Sequence, residues 1–286
     1  MLIVCPTPIG NLEDATARQR QALAGADIIA CEDTRHSGKL LGLLGIARVD
    51  GVPRLVSYHE HNAAERIPEL LGNLAAGDTV VLVSDAGTPT ISDPGYRLVR
   101  AAAQAGHPVS ALPGPVAAMV ALSAAGLPTN RFFFEGFLPS KTRARTERLG
   151  ALRALGVTVI LYESPRRVLG LLADVEAVYG PAHEVCAARE LTKMHEEYLR
   201  GSCAEVRADL ADRPEIYGEF VVILAPFVPA DEDADIEAQI DAKIRELLAE
   251  GMRPRGIKAV LAELFEVRKS EIYARIEAVK NDGSPD

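Results

Sequence analysis

Tryptophan is absent, and cysteine is scarce, with 4 in a chain of 286 residues. The first absence disfavours an aromatic cage or a Trp stacking platform. Cys5, Cys31, Cys186 and Cys203 stand far apart, with no pair at metal-clip spacing and no Cys-x-x-Cys. That pattern speaks against a zinc site or disulfide framework and for reduced thiols in the core of a cytosolic protein. The start, Met1-Leu2-Ile3-Val4-Cys5-Pro6, lacks a basic leader and breaks at proline. Apolar runs such as Val116 to Ala125 fall well short of the ~20 residues a membrane span requires. These features predict a soluble cytoplasmic protein. The usual nucleotide fingerprints are missing too. No G-x-G-x-x-G follows the first strand and no G-x-x-x-x-G-K-[ST] occurs, which disfavours a dehydrogenase or a P-loop NTPase. Positive charge is in deficit: 31 Lys and Arg face 40 Asp and Glu, a net charge of −9. Nucleic acid is therefore not held by overall charge, although a local basic patch remains open.

What is present is an ordinary globular balance, 48% hydrophobic and 25% charged. At roughly 150 residues per domain the length suggests about two domains. Continuous apolar runs at Leu2–Cys5, Asp27–Cys31, Leu55–Tyr58, Thr79–Val83 and Val109–Leu112 read as strands. Helical patterns at Ala15–Ala24, Ile67–Ala76 and Tyr96–Ala105 separate some of them. Strands that are apolar throughout, with helices between, predict a parallel sheet covered on both faces. The second half predicts strands at Arg131–Gly136, Thr158–Tyr162, His183–Ala188, Glu197–Gly201 and Glu219–Leu224. Helices fall near Arg143–Leu155 and Pro165–Tyr179, and a hairpin spans Ala187 to Gly201. That rhythm suits a mixed sheet in a second α/β domain, with the break near Gly126-Leu127-Pro128. Pro226, Pro229 and the run Asp231–Asp235 read as an acidic linker. Three short helices follow, Ile236–Ala249, Pro254–Phe265 and Ser270–Val279, with a local excess of three positive charges over residues 243–280. They suit a small helical module, of helix-turn-helix type or a packing appendage. The expected domains are thus residues 1–126, 127–228 and 236–286.

Chemistry-bearing residues gather in the loops after the strands, where a parallel sheet binds ligands. The first, Pro6–Asp14, has a path fixed by prolines and a glycine. The second, Cys31-Glu32-Asp33-Thr34-Arg35-His36, packs ionisable groups directly behind a buried strand. In the third, Ser57-Tyr58-His59-Glu60-His61-Asn62, an extended chain would put His59 and His61 on one face and Glu60 on the other. That arrangement ranks metal binding below a substrate-contacting or acid–base role. The fourth, Ser84–Gly95, combines small residues that let a ligand approach the backbone with hydroxyls and Asp85. The fifth, Pro113-Gly114-Pro115-Val116-Ala117, is a rigid strand-to-helix turn. Five such loops on one sheet edge make a pocket.

In order along the chain, Thr7-Pro8-Ile9-Gly10-Asn11-Leu12, Cys31-Glu32-Asp33-Thr34-Arg35, Ser57–Asn62, Ser84–Gly95, Pro113-Gly114-Pro115, Phe134–Pro139, Tyr162-Glu163-Ser164-Pro165 and Ala188–Lys193 resemble the tetrapyrrole-methylase-like superfamily of S-adenosylmethionine enzymes. The resemblance is to its branch acting on a cytidine 2′-hydroxyl of bacterial 16S rRNA, and it covers about residues 1–225. Pro115-Val116-Ala117 departs from the family's more usual Pro-Ser-Ala and lacks that hydroxyl. The resemblance implies a tetrapyrrole-methylase-like α/β fold with the cofactor in the cleft between domains, a homodimer, and 16S rRNA or the assembled small subunit as partner. It places S-adenosylmethionine contacts on Pro8, on Asp85, Ala86, Gly87, Thr88 and Ile91, and on Val116 and Ala117. In the second domain they fall on Tyr162, Leu191 and Glu219, near the adenine.

Transfer of a methyl to a ribose hydroxyl is an in-line displacement dominated by positioning. A base or a polarising cation assists because the hydroxyl is a poor nucleophile until its proton leaves. The candidates are Glu32, Asp33, His59, Glu60, Glu190 and Lys193; the leading pair is Glu60 as base or orienter and Lys193 as stabiliser of the developing alkoxide. Each could equally be a structural ion pair or a cap. For RNA, Lys141, Arg143, Arg145, Arg148 and Arg153 against Glu147 give a local excess of four positive charges. A solvated helix face is the ordinary reading of such a run, and the family context favours a phosphate track. Arg35, Arg166 and Arg167 extend it. A methylase of a small tetrapyrrole-like substrate is the alternative enzyme, which the acidic balance would suit. A nucleic-acid-binding regulator is the non-enzymatic alternative, and it leaves the Ser84–Gly95 pocket unexplained.

Overall fold

A computed structural model describes the backbone of residues 1–228, 230–265 and 267–282. The side chains of 230–238, 263, 269 and 280–282 lie outside the description, as does Pro229. The chain divides into two compact units, Met1–Phe227 and Val228–Asp286.

The first unit holds two sheets. β1 (Leu2–Val4), β2 (Ile28–Cys31), β3 (Arg54–Ser57), β4 (Val80–Leu82) and β5 (Val109–Ala111) form one, in the order β3-β2-β4-β1-β5. Every pairing in it is parallel. β2 and β4 are buried at every position, as expected for strands covered on both faces. One face packs Leu2, Val4, Leu70, Leu82 and Leu98 and the other Leu23, Ile29, Leu41, Val81 and Val83. The connecting helices are α1 (Ala17–Ala24), α2 (Thr34–Leu43), α3 (Ala63–Ala75) and α4 (Tyr96–Gln104). Thr16 and Gln19 close a reciprocal capping box at the start of α1.

The second sheet is mixed, in the order β6-β7-β10-β8-β9. It comprises β6 (Phe132–Phe137), β7 (Thr158–Glu163), β8 (Glu184–Arg189), β9 (Glu197–Ser202) and β10 (Phe220–Leu224). β6 and β7 run parallel, β10 is antiparallel to β7 and β8, and β8 and β9 form the expected antiparallel pair. The parallel first sheet and mixed second sheet agree with the sequence reading. α6 (Thr142–Arg153), α7 (Val168–Tyr179) and α8 (Cys203–Ala211) accompany it. α5 (Ala117–Ala125) follows β5 in the chain yet buries Ala118, Ala121, Leu122 and Ala125 against Ile160, Ala188, Val221 and Ile223 of the second sheet. The first sheet's last crossover thus ends on the other sheet.

Three helices escape the periodicity. α2 opens on the polar Asp33–His36 run and carries Gly38 and Gly42; α5 is apolar on nearly every side; α8 is only 9 residues long. In the second unit, α9 (Ala230–Ala249), α10 (Pro254–Leu264) and α11 (Lys269–Asp282) enclose Ile240, Ile244, Ile257, Leu261, Ile272 and Ile276. The acidic run Asp231–Asp235 is therefore helix rather than linker. Acid-rich sequence at a helix start is favoured by the helix dipole. Among the described residues no helix is long and apolar enough to cross a membrane.

Candidate active site

The strand-end loops are tied to one another by short bonds. Thr7 and Gly87 exchange backbone hydrogen bonds at 2.9 and 3.0 Å, and Thr7 Oγ1 donates to the Ser84 carbonyl at 3.0 Å. Gly87 sits at φ +86°, a conformation glycine adopts without a steric penalty. Thr88 Oγ1 donates to the Pro115 carbonyl at 2.8 Å. Across to the second sheet, the Ala118 N–H donates to the Tyr162 hydroxyl at 3.1 Å. Gly10 faces the 191–193 segment so closely that a Cβ there would overlap the Lys193 side chain and press on the Leu191 carbonyl. The glycine of the first motif is thus explained by a close approach between loops of the two sheets.

These loops enclose a cavity of about 420 Å³. Ile9, Ala86, Ile91, Val116, Ala117, Phe137 and Leu191 supply apolar wall; Asp85, Thr88, Ser92, Asp93, Tyr162, Lys193 and Glu219 supply polar groups. Of the expected cofactor contacts, Asp85, Ala86, Gly87, Thr88, Ile91, Val116, Ala117, Tyr162, Leu191 and Glu219 line it. Pro8 does not; it follows Thr7, whose backbone bridges Gly87. Tyr162 is packed edge-on by Phe134 and Phe137, with ring centroids 5.0 and 5.6 Å away. Burial raises its hydroxyl pKa; the Ala118 N–H opposes this and the Asp93 charge adds to it.

The expected acid–base residues are dispersed. Glu60 does not line the cavity; it is about half exposed and lies 3.7 Å from Arg97. The His59–Asn62 segment is a turn rather than an extended strand: the His59 N–H donates to Asn62 Oδ1 at 2.8 Å and Asn62 Nδ2 to the Ser57 carbonyl at 3.0 Å. His59 and His61 meet edge-on with centroids 6.0 Å apart, and neither lines the cavity. Asp33 caps α2, accepting the Arg35 N–H at 2.8 Å and the Arg35 guanidinium at 2.9 Å, and its pKa falls to about 2 mainly through Arg35. Such a carboxylate is a weak base, and the structure assigns it a capping role. Glu32 is exposed outside the cavity. Lys193 does line it, bonded to Glu190 at 2.8 Å and Glu219 at 3.0 Å. Burial lowers its pKa, but the two carboxylates outweigh burial and raise it overall, so it stays cationic. Glu190 is pinned at φ +51° against Gly218, and Lys193 and the Glu219 N–H lower its pKa against burial.

The basic set divides likewise. Lys141, Arg143, Arg35 and Arg166 are exposed, Arg143 beside Glu147 at 3.0 Å and Arg35 beside Asp33. Arg145 is instead buried, 2.5 Å from Asp174, and cannot reach a phosphate. Arg148 grips Glu135 through two bonds of 2.7 and 2.6 Å. Arg167 donates to the Leu138 carbonyl at 2.9 Å and lies 3.2 Å from Glu163. Arg145 therefore drops out of the track, and Arg148 and Arg167 are engaged within the protein. Asp93, Ser92, Phe137 and Glu163 line the cavity too; each lies in a motif that carries the resemblance, although none is among the expected cofactor contacts. The signal that could have found them was membership of those motifs: Ser92 and Asp93 in Ser84–Gly95, Phe137 in Phe134–Pro139 and Glu163 beside Tyr162.

An open-sheet fold with strand-end loops closing a cavity against a second sheet defines the class, and residues 1–207 match the family model for Tetrapyrrole (Corrin/Porphyrin) Methylases. The solved uroporphyrin-III C-methyl transferase of Thermus thermophilus, complexed with S-adenosyl homocysteine, shares the fold. Its TM-score is 0.51 at 18% identity, covering 78% of this chain and 96% of that one. Nearer in sequence is ribosomal RNA small subunit methyltransferase I of Micromonospora olivasterospora, 41% identical over 99% of this chain and 88% of the relative. Its counterpart in Escherichia coli O157:H7 is 43% identical over 95% and 93%. The chain belongs to the tetrapyrrole methylase family and, within it, to the group of the small-subunit ribosomal RNA methyltransferases I.

Proposed function

We propose that this protein is an S-adenosylmethionine-dependent rRNA methyltransferase that methylates the ribose 2′-hydroxyl of the cytidine at position 1402 in the decoding region of 16S rRNA. The observation that carries the reading is membership of that group together with a cavity built from its sequence motifs. The residues present fit the cofactor. Asp85, Asp93, Glu163 and Glu219 line the cavity against Lys193, an acidic setting that favours a cationic sulfonium. The apolar residues between them give close packing to the uncharged parts. Bound there, S-adenosylmethionine supplies a methyl group activated by the positive charge on sulfur.

The chain's own contribution is orientation. The Ser84–Gly95 and Pro113–Ala117 loops, bonded through Thr88 and Pro115, hold one end of the cofactor, and Tyr162, Leu191 and Glu219 hold the adenine end. Such fixed geometry serves an in-line displacement, where most of the rate comes from positioning. Lys193, kept cationic, stabilises charge developing on the attacking oxygen. The rRNA, as naked RNA or assembled subunit, reaches the cleft over exposed basic residues including Lys141, Arg143 and Arg166. The working protein is a cytoplasmic homodimer in this reading.

The test uses small-subunit rRNA carrying one 2′-deoxycytidine at the modified position. Methyl transfer should vanish there while binding persists, because DNA-like sugar lacks the nucleophile. Continued transfer to that nucleotide would make the base the acceptor and overturn the 2′-O assignment. Methylation of a tetrapyrrole and not of rRNA would favour the small-molecule alternative.

A further inference from the structure

We infer that the second unit carries an RNA-contacting surface of its own, made by Arg253, Arg255 and Lys258 at the start of α10 and by Tyr273 of α11. Its ligand, a stretch of rRNA backbone with an unstacked base, rests on the rRNA methyltransferase reading above. The core of this unit is aliphatic, built on Ile240, Ile244, Ile257, Leu261, Ile272 and Ile276, and includes none of the four. Tyr273 is 52% exposed, and Lys258 Nζ stands 5.8 Å from its ring centroid. Arg255 and Lys258, three positions apart on α10, share a face. The lysine thus joins the cations of α10 to the ring on α11. Arg253 and Arg255 are exposed. Elsewhere in the unit Lys243 is bonded to Glu246 at 2.8 Å, Arg275 to Asp241 at 2.8 Å, and Arg268 lies against Glu271. Arg253, Arg255 and Lys258 enter no ion pair among the described residues.

Charge complementarity identifies the partner. From Gly251 to Ala262 the chain has Arg253, Arg255 and Lys258 and no Asp or Glu, although its net charge is −9. The acidic run Asp231–Asp235 does not cancel these cations. It occupies the first two turns of α9, whereas they follow its last turn, roughly 20 Å further along the axis. That separation lies well beyond the Debye length of about 8 Å at 0.15 M salt. Cations already neutralised within a protein offer little to a phosphate; unpaired ones displace its condensed counterions. The half-exposed ring supplies the other element of RNA recognition. Unpaired bases stack on aromatic side chains, and every base has a π-face to offer. None of the four residues lines the cavity, so the surface anchors the substrate and takes no part in methyl transfer itself.

The test titrates full-length protein against purified small ribosomal subunits at several salt concentrations. Arg253→Gln with Arg255→Gln should weaken binding about tenfold at 0.15 M salt and flatten the salt slope by about 1.5. Lys243→Gln with Arg268→Gln removes the same charge from the same unit, at cations already paired, and should leave the slope unchanged. Tyr273→Ala should weaken binding about fivefold or more, and Tyr273→Phe, which keeps the ring, should stay within about twofold of wild type. A wild-type slope in the Arg253 and Arg255 double variant, equal flattening in the control, or wild-type affinity in Tyr273→Ala would overturn the inference. If the variants do not fold, the wild type decides. Bound subunits should protect Lys258 from amine acetylation and leave Lys243 reactive; equal reactivity of Lys258 with and without subunits sinks it. Failure of the underlying reading looks different. A protein that binds subunits in this way but leaves the 2′-hydroxyl unmethylated would refute that reading and keep the surface. One that methylates it while both Gln variants bind as wild type would do the reverse.

Discussion

Arg143 and Arg145 stand two positions apart on α6 and have opposite fates. Arg143 is exposed, whereas Arg145 turns inward to Asp174. Removing one partner of a buried ion pair leaves the other charge without compensation, at a cost of about 3–5 kcal/mol. Arg145→Met should therefore lower stability by that order in urea denaturation while leaving the salt dependence of RNA binding unchanged. A flattened salt slope in a still-folded variant would return Arg145 to the RNA track. Asp93 makes the converse case. Its folded pKa, about 6, lies above the ordinary 3.8, so its favourable contribution is complete below about 4 and is lost as pH rises through 6. About two units of difference correspond to roughly 3 kcal/mol, reduced to roughly 1–2 kcal/mol because solvent reaches the group. Asp93→Asn should recover that amount at pH 7.5 and nothing near pH 4. Asp33 has the opposite sign: its pKa of about 2 means its cap is intact at ordinary pH and is lost only as pH falls through that value. The sequence displayed Glu32, Asp33, Glu60 and Arg145 as charges of the right type. Arg35 stands beside Asp33 in the sequence, but the distant partners do not show there, because Asp174, Arg97 and Asp85 come near only through tertiary folding.

At the scale of elements, local pattern was a good guide wherever burial followed a simple period. β2, β4 and β10 are apolar runs because both their faces are covered, and the β8–β9 hairpin follows from the lack of a helical stretch between its strands. α5 was illegible for the opposite reason. A helix packed on the second sheet and flanking the cavity with Val116 and Ala117 has no polar stripe to betray its period. The Pro6–Asp14 loop was recognisable as rigid, but the need for Gly10 became apparent only with the 191–193 segment beside it. Gly10→Ala keeps an accessible backbone conformation and adds one carbon where there is no room. Overpacking of that kind costs about 1–3 kcal/mol, and displacing Lys193 and Leu191 should misplace the cofactor, lowering the methyl-transfer rate about 10²-fold. Urea titration and single-turnover kinetics check the two effects separately. Wild-type kinetics in a folded Gly10→Ala protein would show that this contact does not govern the cleft.

For the whole molecule the difficulty is charge: a chain of net −9 has to approach a polyanion. Its cavity is acidic as well, which suits a cationic cofactor and repels phosphate. The two demands are compatible only if cofactor and RNA backbone meet different surfaces, one within the cleft and one outside it. Exposed outside the cavity are Lys141 and Arg143 around the start of α6 and Arg166 ahead of α7, the residues proposed to meet the RNA backbone. Each phosphate contact made on binding releases condensed counterions and contributes about 0.7–0.9 to the slope of log affinity against log salt. Reversing Lys141, Arg143 and Arg166 to Glu should therefore weaken rRNA association and flatten that slope by up to about 2–3 units. S-adenosylmethionine affinity should be unaffected, because none of the three lines the cavity. Long-range repulsion from the added carboxylates would be screened within a Debye length of about 8 Å at 0.15 M salt. Comparison with the Gln variants separates that repulsion from lost contact: a slope change retained in Gln is contact, and one confined to Glu is repulsion. An unchanged slope in both sets of variants would make α6 an ordinary solvated helix and move the RNA-binding surface elsewhere.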